Sequence, residues 1–111
     1  MAAKFELFKD KAGEFRFRLK AGNGEIILTS EGYKQHASAV KGIESVKTNS
    51  ANEARFEKKS AGADKFMFNV KASNGQVVGT SQTYKTESGR DNGVQSVMKN
   101  AADAKVEDQT A

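Results

Sequence analysis

Sliding this chain against itself by 51 positions places Phe15-Arg16-Phe17-Arg18-Leu19-Lys20-Ala21-Gly22-Asn23-Gly24 on Phe66-Met67-Phe68-Asn69-Val70-Lys71-Ala72-Ser73-Asn74-Gly75. The same offset places Thr29-Ser30-Glu31-Gly32-Tyr33-Lys34 on Thr80-Ser81-Gln82-Thr83-Tyr84-Lys85, and Gly42-Ile43-Glu44-Ser45-Val46 on Gly93-Val94-Gln95-Ser96-Val97. About 17 of 47 aligned positions are identical without a gap, far above chance. An internal repeat constrains a fold more than any composition does, because whatever one copy forms the other must also form.

Each copy carries the same succession of periods. Phe15, Phe17 and Leu19 alternate with Arg16, Arg18 and Lys20, as Phe66, Phe68 and Val70 do with Met67, Asn69 and Lys71. A period of two belongs to a strand with one buried face. Asn23-Gly24 and Asn74-Gly75 follow these strands and precede a second apolar run, so a tight antiparallel hairpin is expected in each copy. An earlier strand, Lys4 to Phe8, reaches the second through a turn around Asp10 to Gly13. After Tyr33 and Tyr84 the apolar spacing changes to three and four, predicting amphipathic helices over 35–48 and 86–99. Thr86 suits the second helix as a cap, Glu87 its first turn, and Lys47 and Lys99 the last turns. A short strand follows each helix, at Ala54–Glu57 and Ala104–Glu107, the first closing copy one and opening copy two.

The predicted class is α+β: two tandem β-β-β-α-β repeats, about 4–54 and 55–108, in a single domain spanning 1–111. A unit of ~50 residues buries too little surface to be stable alone. The two are therefore expected to share one antiparallel sheet and one core, with pseudo-twofold symmetry and both helices on one face.

Composition narrows the function. With 37% hydrophobic and 29% charged residues the core is modest, and with no Cys neither a disulfide framework nor a thiolate metal site is available. No run approaches the ~20 apolar residues of a membrane span and no signal-peptide core is present, so a cytoplasmic monomer without a membrane partner is expected. The net charge of +4 leaves both protein and nucleic acid open as partners. The basic excess sits in the first half: residues 1–52 hold nine Lys and Arg against six Asp and Glu, and residues 53–111 hold nine against eight.

Lys4-Phe5-Glu6-Leu7-Phe8-Lys9-Asp10-Lys11-Ala12-Gly13, the Asn-Gly hairpin and Gly42-Ile43-Glu44-Ser45-Val46-Lys47-Thr48-Asn49 resemble the YegP-like family of small bacterial proteins. The resemblance spans nearly the whole chain. It implies two β-β-β-α-β motifs around one sheet, with their last strands exchanged between the halves. It implies no activity and supplies no catalytic or binding residues. Copy two departs from the pattern at Lys58 and Lys59, where copy one has Leu7 and Phe8, and at Gly79, where copy one has Leu28.

Two constellations remain as candidate sites. If the Phe residues of the second strand point inward, Arg16, Arg18 and Lys20 point outward with Lys71, a basic surface suited to phosphates. The alternative is an anion site where strand meets helix, built from Ser30, Tyr33 and Lys34 and from Ser81, Tyr84 and Lys85. His36 stands alone, without the Cys or carboxylate cluster of a metal site or the orienting acid of a triad. Glu6 and Glu57 recur and are read as partners for Arg and Lys. Gly42 and Gly93 recur inside the helices, suggesting close helix–sheet approach. A binding or interaction module without catalytic residues, metal or cofactor is the expected function.

Overall fold

A computed structural model describes residues 3–60 and 62–110. Copy one forms β1 (Lys4–Lys9), β2 (Phe15–Lys20), β3 (Ile26–Thr29) and α1 (His36–Asn49). Copy two forms β4 (Phe56–Ser60), β5 (Phe66–Lys71), β6 (Val77–Thr80), α2 (Glu87–Asn100) and β7 (Lys105–Asp108). A single 3₁₀ turn, Glu53–Arg55, leads into β4, with the Asn52 side chain accepting the Ala54 N–H. Both helices lie within one residue of the expected spans. The Thr86 hydroxyl caps α2 by accepting the Gly89 N–H at 2.9 Å.

The seven strands form one sheet in the order β4-β5-β6-β3-β2-β1-β7. At its centre β3 and β6 pair antiparallel with Thr29 opposite Thr80. These residues are 51 positions apart, the repeat offset, so the pseudo-dyad runs between them. Two equivalent residues facing each other across an axis must share whatever room lies there. One position along from each threonine, Leu28 is fully buried and its counterpart is Gly79. A methyl group built on Gly79 would stand 2.6 Å from Leu28 Cδ2 and 2.8 Å from Cγ. The site holds one leucine, and the Leu28/Gly79 difference between the copies follows from their meeting at the axis.

β7 leaves α2 of copy two and pairs with β1 of copy one, so the terminal strand does cross between halves. The expectation of an antiparallel sheet needs correction here: β7 and β1 are parallel, with Phe5 opposite Val106 and Leu7 opposite Asp108. Residues near 54–59 were expected both to close copy one and to open copy two. They only open copy two, because β4 pairs with β5 alone and forms the far edge of the sheet. The hairpin turns are also longer than a two-residue Asn-Gly turn. Gly24 N–H bonds the Ala21 carbonyl and Ala21 N–H bonds the Glu25 carbonyl, and only Gly24, at φ 85°, takes positive φ. This is a type I turn followed by a left-handed glycine, and copy two repeats it at Ala72–Gln76, with Gly75 also at 85°.

The core lies between the sheet and the two helices. Phe5, Leu7, Phe17 and Leu19 of copy one join Phe56, Phe68 and Val70 of copy two, with Ile43 and Val46 of α1 and Val94 and Val97 of α2 above them. Phe17 meets Phe5 edge-on at 5.9 Å and stacks near Tyr33 at 6.3 Å. The recurring helix glycines have a packing role. A Cβ on Gly42 would stand 2.6 Å from the Tyr33 hydroxyl, and one on Gly93 would collide with the Tyr84 hydroxyl. Each glycine lets its helix settle onto a tyrosine at the end of the preceding strand.

Candidate functional site: the helix-free sheet face

Arg16, Arg18 and Lys20 alternate with the buried Phe17 and Leu19 and stand on the face that carries no helix. There the sheet supplies each of them with a carboxylate. β1 and β2 pair with Glu6 opposite Arg18, which brings Arg18 Nε to 2.7 Å from Glu6 Oε1. Lys20 Nζ reaches the same oxygen at 3.2 Å, and Lys4 Nζ reaches Glu6 Oε2 at 3.4 Å. Arg16 Nε donates to Asp10 Oδ2 at 2.6 Å, and its Nη1 reaches the Ser30 carbonyl at 3.3 Å. The Arg18 guanidinium also lies over the Phe8 ring at 4.7 Å, in cation–π contact.

Glu6 is the hub of this network and only 4% exposed. Burial alone pushes its carboxyl upward, but the bonds from Arg18, Lys20 and Lys4 outweigh it and bring the pKa down to about 2. The Arg16 guanidinium likewise holds Asp10 below its usual range.

Copy two builds a weaker version. Lys71 Nζ bonds Glu57 Oε2 at 2.8 Å, and Asn69, standing where copy one has Arg18, donates to Glu57 Oε1 at 3.3 Å. Asn69 in turn accepts from the Thr80 hydroxyl at 2.9 Å. The Lys71 and Asn69 bonds lower Glu57 to about 2. The two copies thus place a carboxylate at the same point and differ in the charge around it. The recurrence of Glu at 6 and 57 was the sequence signal for these hubs; the burial of Glu6 became visible only once β1 was paired.

The residues of the alternative anion site are divided between interior and surface. Ser30 Oγ accepts the Phe17 N–H at 2.9 Å and donates to the Glu31 carbonyl at 2.8 Å; Ser81 does the same with Phe68 and Gln82, at 3.0 and 2.7 Å. Both serines are buried, whereas Lys34 and Lys85 are exposed. Tyr33 and Tyr84 continue the strands by pairing with the backbones of Phe15 and Phe66. Among the described residues the Tyr84 hydroxyl is buried without a hydrogen-bond partner. Burial raises its pKa. Beside it lies a cavity of about 150 Å³ between the first copy's hairpin (Asn23, Glu25, Ile27) and α2 (Asn92, Gly93, Ser96).

His36 was set aside as a lone imidazole. The fold brings its Nε2 to 2.8 Å from Asp108 Oδ2, tying the start of α1 to β7. With Lys4 donating to Glu107 at 2.8 Å and the Gln109 N–H bonding the Leu7 carbonyl at 2.7 Å, this contact holds an otherwise exposed strand. No described helix is long and apolar enough to cross a membrane.

Comparison with known proteins agrees with this architecture. The family described as "Domain of unknown function (DUF1508)" matches the chain twice, over residues 10–57 and 61–108. A UPF0339 protein of Stutzerimonas stutzeri, described by its place in the 5′ region of a ptx operon, is 60% identical over 96% of both chains. The UPF0339 protein YegP of Shigella flexneri is 54% identical over 99% of this chain and 100% of its own. Two solution NMR structures superpose with a TM-score of 0.93. They are the UPF0339 protein of Shewanella oneidensis, 51% identical over 99% of this chain and 93% of that one, and yegP of Escherichia coli, a protein of unknown function, 52% identical over 100% and 96%. The duplicated chain with its dyad-centred sheet therefore belongs to the DUF1508 family of YegP-like UPF0339 bacterial proteins and carries the family's domain twice.

Proposed function

We propose that this protein is a non-enzymatic interaction module whose partner is another protein. The observation that carries this reading is the pairing of the sheet-face cations. Arg16, Arg18, Lys20 and Lys71 each bond a carboxylate of their own chain, so the face presents a mosaic of both signs. A polyanion gains affinity by releasing counterions from free cations, and here it would have to displace bound carboxylates, the buried Glu6 among them. A protein surface, itself mixed in sign, meets such a mosaic without that penalty. The side chains with catalytic chemistry already serve the fold: Ser30 and Ser81 bond strand amides and His36 bonds Asp108.

Affinity capture from native lysate, with and without nuclease, tests the reading. Retention of a protein partner after nuclease treatment is expected. Loss of the captured material on nuclease treatment, with a steep salt dependence that disappears in Arg16→Met/Arg18→Asn, would instead assign the face to nucleic acid.

The buried, unpartnered Tyr84 hydroxyl favours a second reading, a small polar ligand in the neighbouring cavity. That reading expects a ligand-induced rise in melting temperature that is lost in Asn92→Leu.

A further inference from the structure

The two ends of the sheet are related by the dyad but are not equally finished. At one end the outer edge of β1 is covered by β7. At the other end β4 is the dyad counterpart of β1, since Phe5 and Glu6 correspond to Phe56 and Glu57. Among the described residues no strand covers its outer edge. The cause lies in the duplication. The residues of copy one that correspond to β7 are 54–57, and the chain has used them to enter β4 itself. One strand cannot also lie beside itself, so joining the copies in one chain leaves one strand position empty.

The empty position has a defined chemistry, because its filled counterpart can be read. β7 runs Lys105-Val106-Glu107-Asp108, parallel to β1, with Val106 opposite Phe5 and Glu107 held by Lys4. On β4, Phe56 repeats Phe5, and Arg55, at the end of the 3₁₀ turn that leads into the strand, corresponds in sequence to Lys4. The next two positions change from Leu7 and Phe8 to Lys58 and Lys59, both exposed. The change at Lys58 is matched on the helix above: Val40 of α1, packed on the core, becomes Asp91 of α2, and Lys58 Nζ lies 3.2 Å from its Oδ1. Lysines on an open edge disfavour pairing with a like edge, since two β4 strands would set Lys against Lys. The same lysines, with Arg55, favour a strand carrying carboxylates, which would share them with the partly exposed partners they already have, Asp91 at 3.2 Å from Lys58 and Glu57 at 3.5 Å from Lys59.

Resting on the reading of a protein partner, we propose that the outer edge of β4 binds an extended acidic segment of that partner as an eighth, parallel strand. Its pattern would be one apolar residue opposite Phe56 followed by acidic residues beside Arg55, Lys58 and Lys59. Main-chain hydrogen bonds give such a complex its affinity and the flanking cations its selectivity.

The chain itself supplies the probe, a peptide of residues 103–110, Asp-Ala-Lys-Val-Glu-Asp-Gln-Thr, titrated into the intact ¹⁵N-labelled protein. Amide shifts confined to Arg55–Ser60 are expected. A spin label at the peptide N-terminus should broaden Arg55 more than Ser60, and one at the C-terminus the reverse. Peptide with Glu107 and Asp108 changed to lysine, or protein carrying Lys58→Glu/Lys59→Glu, should bind at least tenfold more weakly, with the remaining resonances unmoved. No shift at β4 with millimolar peptide, shifts at Lys4–Lys9 through displacement of β7, antiparallel broadening, or unchanged affinity after charge reversal would each overturn the proposal. Concentration-dependent shifts at β4 without peptide would overturn it too and assign the edge to a second copy. None of these failures touches the nuclease-resistant capture on which the broader reading is judged.

Discussion

The contact at the dyad makes a sharp energetic prediction. Gly79→Ala places a methyl group 2.6 Å from Leu28 Cδ2 and 2.8 Å from Cγ, inside van der Waals contact. Leu28 is fully buried and has no open side to retreat to, so overpacking should cost about 1–3 kcal/mol. Replacing a strand glycine with alanine returns roughly 0.5–1 kcal/mol of backbone entropy, leaving a net loss of about 1–2 kcal/mol. Leu28→Ala alone should cost about 2–5 kcal/mol, since the cavity has only a glycine facing it. In the double variant the colliding atoms are gone, so the alanine at 79 becomes neutral or mildly stabilising. The two substitutions should therefore be coupled by about 1–3 kcal/mol, with the double variant more stable than the sum of the single losses. Urea denaturation followed by circular dichroism gives all four corners of the cycle at constant m. Additivity within about 0.5 kcal/mol would refute the claim that the two copies share one leucine's volume at the axis.

Three other outcomes follow from the same structure. Phe17→Ala and Phe68→Ala, buried at equivalent points, should each cost about 3–5 kcal/mol in urea melts, and losses below about 1 kcal/mol would mean that the sheet faces are inverted. Glu6 has a folded pKa of about 2 against 4.5 in the ordinary carboxylate, so its contribution is complete above pH 4.5 and disappears as pH falls through 2. Glu6→Gln should cost about 2–3 kcal/mol at pH 7 and converge with wild type near pH 2; a constant gap across that range would contradict the hub. Gly93→Ala, which on an exposed helix would add roughly 1 kcal/mol of stability, should instead destabilise α2 by about 1–3 kcal/mol, with partial recovery on adding Tyr84→Phe.

Much of this fold was legible because the chain is written twice. A pattern such as Phe15-Arg16-Phe17 is short enough to be accidental, and its return 51 residues later removes the ambiguity. The helices were legible for the same reason, as was the helix–sheet approach at Gly42 and Gly93. Long-range pairing was not legible. Which strands meet at the axis, and that β7 lies parallel on β1, depend on contacts between copies that local periodicity does not encode. In the sequence Leu28/Gly79 and Leu7/Lys58 stood only as departures of copy two from the pattern of copy one. In the structure one is shared volume and the other marks an open edge, and both follow from fitting two copies into one sheet.

The outward direction of Arg16, Arg18 and Lys20 was readable from the alternation, but their electrostatic state was not. It depends on Glu6 being opposite Arg18 in the β1–β2 register, and on Asp10 folding back from the turn onto Arg16. A basic stripe in sequence thus became a paired network in space. The serines of the strand–helix junction changed meaning in a similar way, since an amide donor 13 residues earlier takes each hydroxyl inward.

If neither copy holds a core of its own, neither should fold when the chain is split between them. Residues 1–52 and 53–111 would be produced separately, and their ¹⁵N spectra recorded alone and after equimolar mixing. Alone, the first half would have to set Leu28 against Leu28 at a homodimer axis, and the second Gly79 against Gly79, one overfilled and the other hollow. Each half alone should give the narrow dispersion of an unfolded or loosely associated chain. The mixture should recover the dispersed spectrum of the intact protein. A well-dispersed, monomeric spectrum from either half alone would contradict the shared core.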